Sequence, residues 1–330
     1  PFAEAAVHAG LLWLRRGAPT CYPVPVTIID SNQGESSASA SPSESDDPLS
    51  AWAIGADADR VSLAPLAGKS AYQARLGVNT GGANGLFWFR KLAELGDGRW
   101  RMEPLPAGRD PPPAEIVELE TDLLYPLLRG KDVRAWRAEP SAWMLLVQDP
   151  DRRVGIPVER MQKEFPCTLG YLERHERRLR DRAAYRRFFA AREAPFYSQF
   201  NVGAYSLAPW KVVWNRLGHR LVAAVIGSLD GKPILPQETH AFFPLTNPDE
   251  AHFLAALLNS SPCARALAAW GQRGGKSFAT PGAIHRLALP KYLESEPRHC
   301  RLADLGRRAA EGEVETAELD QSVREMFGLT

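Results

Sequence analysis

Two short runs of the sequence approach a motif that binds phosphate, and neither completes it. The letters GKS occur at 68–70 and again at 275–277, like the end of a P-loop. The glycine that a P-loop requires five residues earlier is Leu63 in the first case and Trp270 in the second. The histidines are scattered, and no acid or nucleophile lies at a spacing from them that indicates a catalytic triad. No catalytic or metal-binding constellation emerges, although the lysines of both runs could meet a phosphate from a plain loop.

Arginines are concentrated between residues 173 and 192. This segment contains eight arginines but only three acidic residues. Such a local excess on a chain with a net charge of only +1 is typical of oriented binding to a polyanion. Arg177 and Arg178 are the candidates for contact with a partner. The alternative is a solvated helix face with the internal pairs Glu173–Arg177 and Glu176–Arg180.

Two further runs mix groups that can recognise nucleic acid. Residues 205–216 combine aromatic, amide and cationic side chains, and Arg and Asn can bond the major-groove edges of guanine and adenine. The alternative is that Trp210 and Trp214 belong to the core and the rest is a solvated hairpin. A glycine-rich basic loop at 271–277 would let backbone amides approach phosphate closely; an ordinary surface turn explains it equally well.

Composition limits the class of protein further. The chain has 330 residues, 45% hydrophobic and 24% charged, which is ordinary for a globular protein. No apolar run approaches the roughly 18–20 residues that span a bilayer. The four cysteines are far apart, which predicts reduced and mostly buried thiols, no metal site and a cytoplasmic setting.

The hydrophobic pattern predicts a mixed α/β (α+β) fold, with a twisted, largely antiparallel sheet, a long packed helix and a C-terminal helical tail. Residues 165–192 carry apolar side chains at a period near 3.6, which predicts one continuous amphipathic helix. Residues 1–30 are expected to form a short helix (3–16) and a strand (21–29), and the Ser-rich acidic stretch 31–50 a flexible loop. A folded domain is expected at 51–300, with a strand at 210–214 and helices at 250–258, capped by Asn247, and 262–270. A polar tail, formed by a pair of helices broken near Gly312, is expected at 301–330.

A family resemblance rests on an ordered set of strings that covers nearly everything from about 66 to 330. The strings include GKSAYQARLGVNTGGANGLFWF (68–89), LLYPLLRGKDVRAW (123–136), PFYSQFNVGAYSLAPWKVVW (195–214), ETHAFFPL (238–245) and RGGKSFATPGAIHRLALPKY (273–292). In order and spacing they resemble the C-terminal specificity region of gamma-class adenine DNA methyltransferases, which serve restriction–modification and phage-exclusion systems.

The resemblance implies that catalysis resides in another part of a longer polypeptide. Methylation of adenine needs an Asn/Asp/Ser-Pro-Pro-aromatic loop whose ring stacks on the flipped base. The run DPPP at 110–113 has proline in place of that ring, and no glycine-rich turn for S-adenosylmethionine follows a strand. We therefore expect that this chain is not an enzyme by itself and holds no cofactor. Residues 1–30 would be the last element of the absent methyltransferase domain, which would bind S-adenosylmethionine. A nuclease fused to the parent would likewise lie outside this chain.

The same resemblance implies that the chain binds double-stranded DNA and reads its target site, with residues 51–300 as the target-recognition domain. The expected partners are duplex DNA, the catalytic domain in cis and restriction or phage-defence subunits, with no membrane. The rival hypotheses are a protein-interaction module that docks such a subunit, and an intact enzyme with an unrecognised active site. Candidate DNA-binding residues lie on four loops and the arginine-rich helix: Asn79, Thr80, Asn84, Arg177, Arg178, Tyr205, Lys211, Asn215, Arg216, Lys232, Gln237, Thr239, Arg273, Lys276 and Ser277.

Overall fold

The computed structural model describes residues 11, 13, 17, 19–30, 34–44, 47–55, 63–108, 115–218, 220–270 and 278–329. The strands are β1 Val24–Asp30, β2 Gly34–Glu44, β3 Asp47–Gly55, β4 Arg75–Leu76, β5 Trp88–Glu94, β6 Arg99–Pro104, β7 Val117–Glu120, β8 Leu124–Leu128, β9 Ala142–Leu145, β10 Gln148–Asp149, β11 Val154–Gly155, β12 Trp210–Asn215, β13 Ala223–Ile226, β14 Ser228–Leu229, β15 Lys232–Pro233, β16 Leu235–Pro236 and β17 His240–Leu245. The helices are α1 Asn84–Phe87, α2 Val158–Glu164, α3 Pro166–Arg174, α4 Glu176–Arg180, α5 Ala183–Phe188, α6 Pro248–Asn259, α7 Ser261–Trp270, α8 Pro281–Ile284, α9 Pro297–Glu311 and α10 Thr316–Phe327. This mixture of helices and sheets confirms the predicted fold class.

The chain forms two compact units, each assembled from distant segments. A central unit comprises Arg75–Val213 and Ala224–Pro248. A terminal unit comprises Pro1–Ala74, Trp214–Ala223 and Asp249–Thr330. This division cuts through the range 51–300 that was predicted as one domain, because the chain leaves the central unit within β12 and re-enters it within β13. The roles predicted for the four sequence ranges stay predictions.

A six-stranded sheet is the main scaffold of the central unit. Its order is β16-β8-β9-β5-β6-β7, and every pair is antiparallel except β16 with β8. Helix α3 is fixed to the edge strand β7, where the Glu120 carboxylate accepts the backbone amides of Cys167 and Thr168, each at 2.8 Å. A carboxylate at a helix N-terminus satisfies amides that have no partner inside the helix. Tyr171 of the same helix donates to the Leu86 carbonyl at 3.1 Å. The helical layer is thereby held on the sheet.

The prediction of one continuous helix over 165–192 is wrong, because the structure divides this segment into α3, α4, α5 and a final 3-10 turn. The backbone leaves helical geometry at His175 and again at Arg182, which has φ −57° and ψ 126°. Leu179 and Tyr185, on either side of the second break, are both buried. Four of the five periodic apolar positions (165, 169, 172 and 179) are buried as predicted, whereas Ala183 is exposed. The apolar period also carries no information about where the helix axis turns.

The Ser-rich stretch 31–50 was predicted as a flexible loop, but in the structure strands β2 and β3 occupy most of it. Strands β1, β2 and β3 form an antiparallel sheet, with Val26 opposite Ala38 and Ile28 opposite Ser36. Ser and Ala side chains are small enough for close pairing, and backbone hydrogen bonds satisfy the strands without bulky side chains. The strand predicted at 21–29 is confirmed as β1. The helix predicted at 3–16 lies almost wholly outside the described residues.

A buried polar network connects three segments of the terminal unit. The Tyr72 hydroxyl donates to Glu250 at 2.9 Å and accepts the Tyr292 amide at 2.8 Å. Lys291 also bonds Glu250, whose side chain is almost fully buried. A buried carboxylate is tolerated when such partners satisfy it. The network fixes the start of α6 against the segment that leads into α9.

The predicted C-terminal helical pair is confirmed by α9 and α10, which are separated at Gly312 in the left-handed region, φ 86°. All four cysteines are free, but only Cys263 is buried, so the prediction of mostly buried thiols is wrong. Among the described helices, none is long and apolar enough to cross a membrane.

Candidate nucleic-acid interface

The first candidate loop, at 79–84, is held in one conformation by its own side chains. Gly81 and Gly82 take positive φ values of 69° and 93°, a region that favours glycine. The Asn79 side-chain oxygen accepts the Gly81 amide at 2.6 Å, and the Thr80 hydroxyl donates to the Asn84 side-chain oxygen at 2.6 Å. Thr80 is buried, whereas Asn79 and Asn84 are partly exposed. The two asparagines are therefore the residues of this loop that can meet a partner.

Backbone pairing brings this loop beside two other segments of the central unit. Asn79 and Phe200 exchange amide–carbonyl bonds of 3.0 and 2.8 Å, and Val78 pairs with Gln237. Gly77 lies so close to the neighbouring strand that a Cβ atom there would stand 2.0 Å from the Gln237 carbonyl oxygen. Segments near positions 79, 200 and 237, far apart in the sequence, thus meet in one cluster, which we call the loop cluster (77–84, 200–205 and 236–240).

Arg182 holds the loop cluster through hydrogen bonds to backbone carbonyls. The sequence patterns did not single this residue out. Its buried guanidinium donates to the carbonyls of Leu179 (2.8 Å), Thr80 (2.7 Å) and Phe196 (2.6 Å). Burial lowers the pKa of Arg182 to about 10, and the three carbonyls satisfy the donors that burial removes from water. A buried arginine at a helix break ties the loop at 79–84 to the helical layer. Its position among seven other arginines offered no signal.

The predicted run 205–216 is divided by the structure. Tyr205 is half-buried in the central unit, where the Arg75 guanidinium lies over its ring at 4.9 Å. Asn215 and Arg216 are partly buried in the terminal unit. The Arg216 carbonyl there accepts the Ala279 amide at 3.2 Å.

The prediction that Lys211 contacts DNA is wrong, because this side chain has no exposed surface. Its ammonium donates to the Ala208 carbonyl at 2.8 Å, and burial lowers the pKa of Lys211 to about 7. The side chain belongs to the interior of the four-stranded sheet β13-β12-β17-β4. An exposed phosphate contact was expected at this position, and the structure places a core residue there.

The third candidate loop lies partly inside the central unit. The Lys232 ammonium bonds the Thr121 carbonyl and lies 4.8 Å from the Tyr125 ring. Gln237 is buried and donates to the Thr239 hydroxyl, which is partly exposed. Among the three candidates of this loop, Thr239 is thus partly exposed, Gln237 is buried, and Lys232 is engaged by the protein itself.

The arginine-rich helices leave several cations without an acidic partner. The expected pair Glu176–Arg180 forms at 2.7 Å, whereas Glu173–Arg177 does not form. Arg177 is exposed, and Arg178 is half-buried with protein contacts of its own. Arg186 and Arg192 are also exposed. Arg177, Arg186 and Arg192 make no ion pair within the described part of the chain. The remaining candidates, Arg273, Lys276 and Ser277, lie outside the described residues.

Comparison with known proteins gives a likeness to methyltransferases. No family model matches the chain. A curated relative is the Type II methyltransferase M.NspV of Nostoc sp. (strain ATCC 29411 / PCC 7524), 32% identical over 147 residues. The aligned part is 44% of this chain and 29% of the relative, so the chain spans less than a third of that protein. This likeness confirms the predicted resemblance to restriction–modification methyltransferases.

A second similarity is to a solved structure. It is the Type IIL restriction–modification enzyme MmeI in complex with DNA, at a TM-score of 0.48 and 11% identity. The match covers 80% of this chain and 34% of that one.

Proposed function

We propose that the chain binds double-stranded DNA and recognises a target sequence, as the specificity part of an adenine-specific DNA methyltransferase. The observation that carries the proposal is the loop cluster. Three segments that are distant in the sequence meet in the central unit and carry the partly exposed polar residues Asn79, Asn84 and Thr239. The 32% identity to a Type II methyltransferase supports the same function.

Recognition would divide between charge and hydrogen bonding. Exposed arginines such as Arg177 would contact phosphates, set the register on the duplex and make affinity depend on salt. The asparagine amides of the loop at 79–84 would bond base edges, and one good bidentate contact discriminates by about 1–3 kcal/mol. Arg182 fixes the backbone of that loop, so the amides need little reorganisation on binding. The bound site would place the target adenine for flipping into a catalytic pocket outside this chain.

A salt-titrated binding assay tests DNA recognition. The full chain is mixed with a fluorescent duplex of mixed sequence, and the dissociation constant (Kd) is measured by anisotropy at several salt concentrations. We expect Arg177→Gln to weaken binding and to lower the salt slope by about one, the value for one lost phosphate contact. Arg160→Gln is the matched control, since Arg160 is also exposed in the same unit but is paired with Glu164 at 2.8 Å.

The outcomes of that assay are distinct. Absence of duplex binding at low salt would reject the proposed function and favour the rival protein-interaction module. Binding that Arg177→Gln and Arg160→Gln leave equally unchanged would reject only the Arg177 assignment.

We further propose that methyl transfer requires S-adenosylmethionine bound by a catalytic domain elsewhere in the parent polypeptide. Restriction or phage-defence subunits would then act on the same DNA. The test is incubation of the chain with a labelled methyl donor and mixed duplex DNA. We expect no incorporation, and labelled DNA would show that the chain is an intact enzyme.

A further inference from the structure

A short cationic hairpin at 133–138 projects from the central unit, and the sequence analysis assigned it no role. Val133 pairs with Ala138, and the Arg134 amide donates to the Arg137 carbonyl at 2.9 Å. Arg134 and Arg137 are exposed, and the turn between them is formed by Ala135 and Trp136. We call these four residues the RAWR tip.

The base of the hairpin is fixed in the core. Val133 is buried in the apolar cluster that contains Leu128 and Ile234, and Ala138 packs against it. The Asp132 carboxylate accepts the Arg129 amide at 2.7 Å and the Ser141 hydroxyl at 2.6 Å. The only acidic group in the turn that leads into the hairpin is therefore used to hold its base, and the RAWR tip is presented on a rigid support.

The two arginines of the tip lie directly opposite each other, because they exchange backbone hydrogen bonds of 2.9 and 3.4 Å. Residues that exchange backbone hydrogen bonds across an antiparallel pair carry their side chains on the same face, with Cα atoms about 5.5 Å apart. Like charges directly opposite each other are destabilising. Within the described part of the chain, neither Arg134 nor Arg137 forms an ion pair, and the exposed Glu139 nearby pairs with neither. A bound anion would relieve this repulsion.

The backbone of the tip is strained as well. Trp136 has φ 69°, a left-handed value that glycine adopts freely and that is rare for a bulky side chain. Such positions cost about 1–3 kcal/mol and cluster at binding sites. The strain and the charge repulsion together indicate that the tip is shaped for a partner rather than for stability.

The location of the hairpin indicates which partner that is. Gly130, at the start of the segment, lies beside the loop cluster: a Cβ atom there would stand 3.4 Å from both the Gln237 side-chain nitrogen and the Thr239 hydroxyl. A phosphate contact adjoining loops that read bases would set the register of the duplex.

We propose that the RAWR tip is a phosphate clamp, in which Arg134 and Arg137 together grip the backbone of duplex DNA next to the loop cluster. The proposal rests on the proposed function, since it takes its partner from it. Each guanidinium offers a planar fork of donors that matches phosphate oxygens. The tip adds a contact that depends on charge and not on base sequence.

The test compares the full chain with the double variant Arg134→Gln/Arg137→Gln on a fluorescent mixed-sequence duplex. Loss of two phosphate contacts should lower the salt slope by about two. The ratio of the two Kd values should then fall about tenfold between about 50 and 200 mM salt. Thermal unfolding should show an unchanged or slightly higher Tm, since the substitution removes like-charge repulsion.

The controls separate this proposal from the function on which it rests. Arg160→Gln together with Arg90→Gln removes the same charge from arginines paired with Glu164 and Glu103, and should leave the salt slope nearly unchanged. If the unaltered chain binds the duplex and the RAWR double variant shows the same Kd and slope, the clamp is refuted while DNA binding stands. If the unaltered chain binds no duplex at low salt, both proposals fail.

Discussion

At the scale of single residues, two buried cations show why residue type alone misassigns a site. Lys211 and Arg182 both belong to runs that the sequence indicated for contact with DNA, and both are buried. Lys211 has one carbonyl partner, whereas Arg182 has three. Burial of Lys211 is therefore expected to destabilise the fold, whereas Arg182 stabilises the segments whose carbonyls it binds. A linear sequence does not distinguish them, because burial depends on which distant segments pack around each side chain.

Lys211 should make stability depend on pH. Its pKa is about 7 in the folded chain, below the ordinary lysine value near 10.5, because burial disfavours the charge. The unfolded chain thus binds more protons between about pH 7 and 10.5, so this residue makes stability rise with pH across that window. Lys211→Met should be more stable than the unaltered chain at pH 7, with the difference shrinking towards pH 10.

Urea unfolding at several pH values measures that difference, and Lys163→Met, an exposed lysine of the same unit, is the control. A constant difference across the window would show that the pKa of Lys211 is not lowered in the folded chain.

Arg182 should act on the loop at 79–84 from a distance. Arg182→Ala would leave three buried carbonyls without a donor, each costing about 1–3 kcal/mol. We expect a loss of several kcal/mol of stability and faster amide exchange at Gly81, with Arg182→Lys intermediate because one ammonium cannot reach all three acceptors. Arg186→Ala, an exposed neighbour, should change neither quantity. Equal exchange at Gly81 in Arg182→Ala would contradict the anchoring role.

At the scale of elements, the sequence predicted which segments are regular better than how they are joined. Strands β1 and β12 and helices α6, α7, α9 and α10 lie close to their predicted positions, because period and capping residues are local signals. The break at Arg182 and the strands in the Ser-rich stretch were missed, because tertiary contacts create them. The loop at 79–84 was one of the four candidate loops named after the family resemblance. Its pairing with positions 200 and 237 joins parts of the chain that no local pattern relates.

The close approach at Gly77 gives a direct test of the loop cluster as an element. Gly77→Ala would place a Cβ atom 2.0 Å from the Gln237 carbonyl oxygen. Because that oxygen belongs to backbone, the strand must shift, and overpacking of this kind costs about 1–3 kcal/mol or more. Gly170→Ala in α3, where a Cβ atom would meet nothing within 4 Å, should be neutral or stabilising by up to about 1 kcal/mol. Unfolding free energies that are equal for the two variants would show that the packing at Gly77 is looser than described.

At the scale of the whole molecule, recognition has to come from local charge, since the net charge is only +1. Long-range attraction to a polyanion is then weak, and affinity depends on where the exposed cations lie. Arg134, Arg137 and Arg177 belong to the central unit, as does the loop cluster. The helices α9 and α10 of the terminal unit carry arginines too, but several of these are paired with acids, as Arg308 is with Asp304.

Hydrogen exchange across the whole chain therefore tests the assignment of recognition to the central unit. Added duplex DNA should slow exchange in 77–84, 129–139 and 200–205, because bound DNA excludes water and suppresses local opening. Exchange in α9 and α10 should not change, and the protection should disappear at high salt, where phosphate contacts are lost. Protection confined to α9 and α10 would instead place the contact surface in the terminal unit. In that case the exposed arginines of the central unit would not contact DNA. The loop cluster would then stabilise the fold rather than read DNA.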